Sequence, residues 1–168
     1  MRKSYKKFFL YSGIAFLILA GSLTIAYFQG ANHHIEYKEL ESLHFANGTK
    51  FDPLHLDNRK KVIYFWATWC STCSSNLPFL RTNIQFLKKF SDTAFVSIEE
   101  GESKAELNKY IHEKNIEFPV LFGNIGLLKK WSITYYPTTL FINEKSEVKF
   151  VDTGVLNPIS FWVRLLFL

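Results

Sequence analysis

Two cysteines three residues apart, Cys70 and Cys73, stand where a strand signal gives way to a helical one, and that junction constrains the whole chain. Lys61 to Trp66 (KVIYFW) is a short β-branched and aromatic run that suits a strand covered on both faces. After Cys70 the apolar residues recur at a helical period, at Leu77, Leu80, Ile84, Leu87 and Phe90. Pro78 falls inside this helix, where its missing N–H predicts a kink. Thr93 to Ile98 (TAFVSI) reads as a second buried strand. A strand–helix–strand crossover of this length requires the two strands to be parallel.

The remainder alternates in the same way. Ser103 to Lys114 is a helix with Leu107, Tyr110 and Ile111 inward, and Ser103 with Glu106 has the capping-box spacing. Pro119 to Phe122 is short and extended, and Asn124 to Trp131 is helical. Thr138 to Asn143 and Glu147 to Val151 form a hairpin through Glu144-Lys145-Ser146. Asn157 to Leu168 is a strongly apolar helix, expected to cover one face of the sheet rather than graze a bilayer. Upstream, Ser42 to Ala46 and the residues after Asn47-Gly48 read as a small hairpin, the Asn-Gly pair suiting a type I′ turn. An antiparallel hairpin beside a parallel pair makes the sheet mixed, with helices on both faces.

Length and charge fix what precedes this domain. The chain has 168 residues, room for one domain and an appendage. With 48% hydrophobic residues, 8 Gly and 5 Pro, it is neither disordered nor of low complexity. Arg2, Lys3, Lys6 and Lys7 crowd the first seven positions, and without them the 20 basic residues nearly balance the 15 acidic ones. No basic face remains for nucleic acid. Phe8 to Phe28 follows as 21 residues without a charge. A helix of that length spans roughly 30 Å, the thickness of a bilayer core. Residues 1–7 are therefore expected to be a cytoplasmic basic segment and 8–28 a single transmembrane anchor. A tether follows at 29–38, and the domain at 39–168 lies on the periplasmic, exported side of the inner membrane. A cleaved signal is the competing reading, with small residues at Ala20, Gly21 and Ser22. His33-His34 on the tether reads as solvated linker.

The chemistry rests on the cysteine pair. A bond closing so small a loop removes little entropy from the unfolded chain, at most about 2 kcal/mol. It joins two residues of one helical turn and constrains nothing distant, so a structural staple is a poor reading. At a helix start, free N–H groups and the positive end of the macrodipole favour an anion, which lowers a thiol pKa. Cys70, at the exposed tip, is the expected nucleophile, and Cys73, one turn in, is placed to resolve the mixed disulfide. No cofactor is expected beyond this redox-active pair. His44, His55 and His112 match no zinc spacing, and no phosphate-cradling loop or serine elbow occurs.

Trp66-Ala67-Thr68-Trp69-Cys70-Ser71-Thr72-Cys73 resembles the active-site segment of thioredoxin-like proteins, and Tyr136-Pro137-Thr138-Thr139 resembles their cis-proline loop. The run from Phe51 to Gly154 is similar to the membrane-anchored thiol-disulfide oxidoreductases of the cytochrome c maturation branch (TlpA- and ResA-like). The tail with Trp162 and Arg164 is similar to the copper-sensitivity-suppressor subgroup. The resemblance implies a thioredoxin-like α/β fold preceded by one transmembrane helix. It further implies that Pro137 is cis beside the cysteines and that the backbone of Tyr136 is presented to an extended substrate segment. Trp69, Tyr136, Pro137 and Thr138 then bind substrate. The plainer alternatives are a core aromatic for Trp69 and an ordinary turn proline for Pro137.

The chain departs from the family at two positions. Thioredoxin has a buried acid where Tyr64 stands, and several anchored relatives have Glu where Asn76 stands. Cys73 must lose a proton when it attacks, so Glu99 or Glu100, at the carboxyl end of the Thr93–Ile98 strand, is the candidate acceptor. The implied partners are protein thiols and disulfides and a membrane electron donor or acceptor, with reduction favoured over oxidation. The reading from another class is a tethered module holding a soft ion such as Cu(I) on the two thiolates.

Overall fold

The computed structural model describes residues 11–14, 33–101, 103–156 and 158–168. Seven strands form one sheet: β1 (His33–His34), β2 (His44–Phe45), β3 (Lys61–Trp66), β4 (Ala94–Glu99), β5 (Val120–Phe122), β6 (Thr138–Ile142) and β7 (Glu147–Thr153). The helices are α1 (Ser71–Phe90), α2 (Lys104–Glu113), α3 (Ile125–Lys130) and α4 (Pro158–Leu166), with 3-10 turns at Tyr37–Ser42 and Pro53–Leu56.

β3 lies at the centre because all six of its residues are buried, as its uninterrupted run requires. It pairs parallel to β4 and antiparallel to β6, so the sheet is mixed, in the order β1-β7-β6-β3-β4-β5-β2. Its alternating side chains feed two cores. Ile63 and Phe65 join Leu127, Leu128 and Trp131 of the α3 region, while Val62, Tyr64 and Trp66 join Leu77, Leu80, Leu107 and Phe161 of α1, α2 and α4. Helices thus cover both faces. α1 runs 20 residues unbroken through Pro78. The N-caps follow the sequence chemistry: the Ser103 hydroxyl accepts from the Glu106 N–H, and the Asn124 side chain from that of Leu127.

Two local expectations are corrected. Asn47-Gly48 turns the chain, but only Gly48 has a positive φ, at 88°, so the turn is not type I′. β2 instead spends its pairing on β5, closing the far edge of the sheet, and retains a single bridge from His44 to Lys50. The tether also ends sooner than expected, since His33–His34 already pair with β7 and Ile35 is buried. An apolar residue at the end of the polar stretch gives the chain something to bury there. The expected span 8–28 lies outside the described residues except for 11–14, which are helical. Among the described residues no helix is long and apolar enough to cross a membrane.

Candidate redox site

β3 ends at Trp66, and the chain turns through Ala67, whose carbonyl accepts from the Cys70 N–H at 3.2 Å. Cys70 is the N-cap of α1, and its Sγ accepts from the Cys73 N–H at 3.1 Å. The two cysteines are joined as a disulfide, with their Cα atoms 5.2 Å apart. A helix N–H aimed at this sulfur stabilises negative charge there once the bond opens, which is what an attacking thiolate requires.

Cys70 is not at an exposed tip. It is 6% exposed and Cys73 1%, while Trp69 before it is 62% exposed. The Cys70 sulfur lies over the first turn of α1, where it meets the Cys73 N–H, and the Trp69 indole takes the outer position. Trp69 is accordingly no core aromatic. Its ring stands edge-on to that of Tyr136, centroids 5.8 Å apart.

The Tyr136–Pro137 peptide bond is cis, and Pro137 is buried. β6 begins at Thr138 and runs antiparallel to β3, which brings this loop to the carboxyl end of β3 beside the cysteines. The Thr138 hydroxyl donates to the Tyr135 carbonyl at 2.7 Å, and the Pro137 carbonyl accepts from Gly154 at 2.8 Å. Trp69, Cys70, Cys73, Tyr136, Pro137 and Thr138 therefore converge from one strand end, one helix start and one loop.

The two acids are held differently. Glu100 accepts from the Trp69 indole N–H at 2.8 Å. Glu99 is 1% exposed at the end of β4, and its carboxylate accepts from the Gly101 N–H at 2.9 Å. The loop behind them depends on two glycines. Gly101 has φ +94°, and a Cβ on it would collide with the Gly123 carbonyl. The Trp69–Glu100 bond and this glycine contact escaped the sequence reading. The position of Glu100 beyond the strand was visible, but its partner was not.

Tyr64 and Asn76 replace acids with neutral groups. Asn76, buried on α1 one turn beyond Cys73, donates from its amide to the Gly154 carbonyl at 3.4 Å. The Tyr64 hydroxyl is buried and makes no hydrogen bond. Burial pushes its phenol far above the ordinary range, offset in part by the neighbouring Asn76 amide. Tyr64 therefore accepts no proton at neutral pH. Among the described residues no group of three or more His, Cys, Asp and Glu side chains is arranged to hold a metal ion.

A mixed α/β sheet with a cysteine disulfide at a strand-to-helix junction, facing a cis-proline loop, defines a thiol-disulfide oxidoreductase of the thioredoxin-like class. The chain belongs to the Redoxin family, whose sequence model matches residues 36–161. It is similar to thiol-disulfide oxidoreductase ResA of Bacillus subtilis, 27% identical over 160 residues, covering 92% of this chain and 89% of that protein. It is also similar to sporulation thiol-disulfide oxidoreductase A of the same organism, at 26% identity over 138 residues, covering 77% of this chain and 82% of the relative. Its fold resembles a solved thiol-disulfide isomerase from Corynebacterium glutamicum, with a TM-score of 0.66 at 18% identity, covering 81% of this chain and 95% of that one. A solved thiol:disulfide interchange protein from Chlorobium tepidum gives 0.64 at 22% identity over 73% and 88% of the two chains.

Proposed function

We propose that this oxidoreductase is a single-pass, membrane-anchored reductant of exported proteins, with residues 8–28 as its anchor and the domain on the periplasmic side. The observation that carries the catalytic part is the Cys70 sulfur at the start of α1, within 3.1 Å of the Cys73 N–H and beside the cis-proline loop. The Cys70 thiolate attacks a substrate disulfide, forming a mixed disulfide and releasing one substrate thiolate. Cys73 then loses its proton and attacks the Cys70 sulfur. The second substrate thiolate leaves, and the two electrons held by the pair pass to substrate as the Cys70–Cys73 bond closes. A dithiol donor in the membrane reopens it. Substrate docks against Trp69, Tyr136, Pro137 and Thr138.

We assign the proton of Cys73 to Glu99, buried at the carboxyl end of β4, whose register partner Trp66 ends the strand that leads to Cys70. The resemblance to the cytochrome c maturation branch and to the copper-sensitivity-suppressor subgroup favours cysteine pairs of exported metalloproteins as substrates. The test is insulin reduction by the full chain. Cys70→Ser abolishes turnover, Cys73→Ser accumulates the mixed disulfide on Cys70, and Glu99→Gln slows its resolution in wild-type cysteines. Absence of turnover together with stoichiometric Cu(I) uptake overturns the reading in favour of a metal-binding module.

A further inference from the structure

α4 presents two apolar faces. Phe161 is buried against Phe79 and Phe141, and Trp162 lies against Phe86 with ring centroids 4.5 Å apart. On the other side Ile159, Val163, Leu166 and Phe167, spaced along one helical face, are exposed, Leu166 at 80%. The only charged side chain from Pro158 to the end of the chain is Arg164, and it turns inward. Its guanidinium pairs with Asp152 of β7 at 2.5 Å and lies over the Phe150 ring at 5.1 Å. The outward stripe is therefore large, apolar and without charge, a surface that a water-exposed helix seldom keeps.

The stripe lies close to the start of the domain. In the sequence only residues 29–32 separate the uncharged run ending at Phe28 from β1. So few residues reach at most about 18 Å when fully extended. β1 pairs His33 with Val148 and His34 with Glu147, so the first described strand of the domain lies along β7 at one edge of the sheet. α4 is fastened to the same strand, through the pairing of Arg164 with Asp152. The start of the domain and α4 are thus both held against β7.

We propose that the outer face of α4, formed by Ile159, Val163, Leu166 and Phe167, lies on the lipid surface and serves as a second contact beside the N-terminal anchor. The inference rests on the anchored reading above. The stripe lacks the cationic rim with which free amphipathic helices find a bilayer, and it needs none, because the short tether keeps it within reach of lipid. β7 runs parallel to β3, both being antiparallel to β6, so the Thr153 end of the sheet is also the end that bears Cys70. Lipid contact through α4, whose Arg164 holds Asp152 near that end, therefore limits how the redox site turns relative to the bilayer.

The experiment reconstitutes the full chain carrying Phe167→Trp into vesicles of phosphatidylethanolamine and phosphatidylglycerol. It compares quenching by lipids brominated near the headgroup with that of the parent chain. The expected result is co-flotation with the vesicles and at least a twofold greater quenching of the added emission. Adding Ile159→Glu and Leu166→Glu should relieve that quenching without loss of flotation. A chain that floats while its Phe167→Trp emission stays unquenched overturns the proposal and leaves the anchor intact. A blue-shifted, unquenched emission from a chain that elutes as a dimer overturns it in favour of a second copy. A chain that fails to float overturns the anchored reading, and this inference with it.

Discussion

The indole N–H of Trp69 donates to the Glu100 carboxylate at 2.8 Å, so the residue before Cys70 is fastened to the end of the neighbouring strand. Tyr136 closes on the same ring from the other side. Between them the most exposed aromatic of the site is held in one orientation although solvent surrounds most of it.

Releasing that ring should weaken docking and spare chemistry. Glu100→Ala removes one charge-assisted hydrogen bond, worth about 1 kcal/mol or roughly fivefold. We expect KM for a protein disulfide to rise about fivefold with kcat unchanged, and Trp69 emission to lose anisotropy. A fall in kcat at constant KM would place Glu100 in the proton path instead.

Tyr64→Phe should make the oxidised protein more stable. The hydroxyl is buried without a partner, and removing it relieves a desolvation cost of about 1 kcal/mol or more while the ring keeps its packing. The measurement is the urea midpoint of the oxidised chain at unchanged m. A loss of stability would mean that the hydroxyl is satisfied, by the neighbouring Asn76 amide or by a bound water.

Gly101→Ala should be costly. The residue has φ +94°, and its Cβ would strike the Gly123 carbonyl, so we expect a loss of at least about 2 kcal/mol in thermal or urea unfolding. The loop that carries Glu99 and Glu100 should loosen with it.

Acid stability should depend on Glu39. Its carboxylate lies 2.6 Å from the Lys130 ammonium and accepts from the Trp131 indole at 2.7 Å, tying the first 3-10 turn to the end of α3. Burial pushes its pKa upward, but these two partners outweigh it and hold the carboxyl below the usual range. With the folded value below the unfolded one, the stabilisation is complete above about pH 4.3 and is lost as pH falls through the folded pKa. Glu39→Gln should lower stability at neutral pH and flatten this acid limb, as followed by urea midpoints from pH 7 to 3.

Truncating Phe161 should detach α4. It is buried with ring contacts to Phe79, Phe141 and Trp162, so Phe161→Ala is expected to cost about 3–5 kcal/mol.

Where the sequence was legible, the reason was periodicity. β3 has the boundaries that its apolar run predicts, and α1 follows the stripe through Leu77, Leu80, Ile84 and Leu87. The meeting of Cys70, Cys73 and Pro137 was legible because the fold they signal brings the two loops together. What stayed hidden depends on contacts between residues far apart in the chain. Asn47-Gly48 carries a local hairpin signal, yet β2 gains more by closing the edge against β5. Cys70 is buried among core residues that come from several parts of the chain, and the Trp69–Glu100 contact spans 31 positions. No local pattern encodes either.

The Cys70–Cys73 bridge spans three positions within a single turn of α1, and although both cysteines sit in the core beneath α1, the sheet pairings and the opposite core are made by other residues. Opening or closing it ties or frees two neighbouring side chains and constrains no distant part of the scaffold. Such a chain shuttles electrons cycle after cycle without gambling its architecture on the outcome.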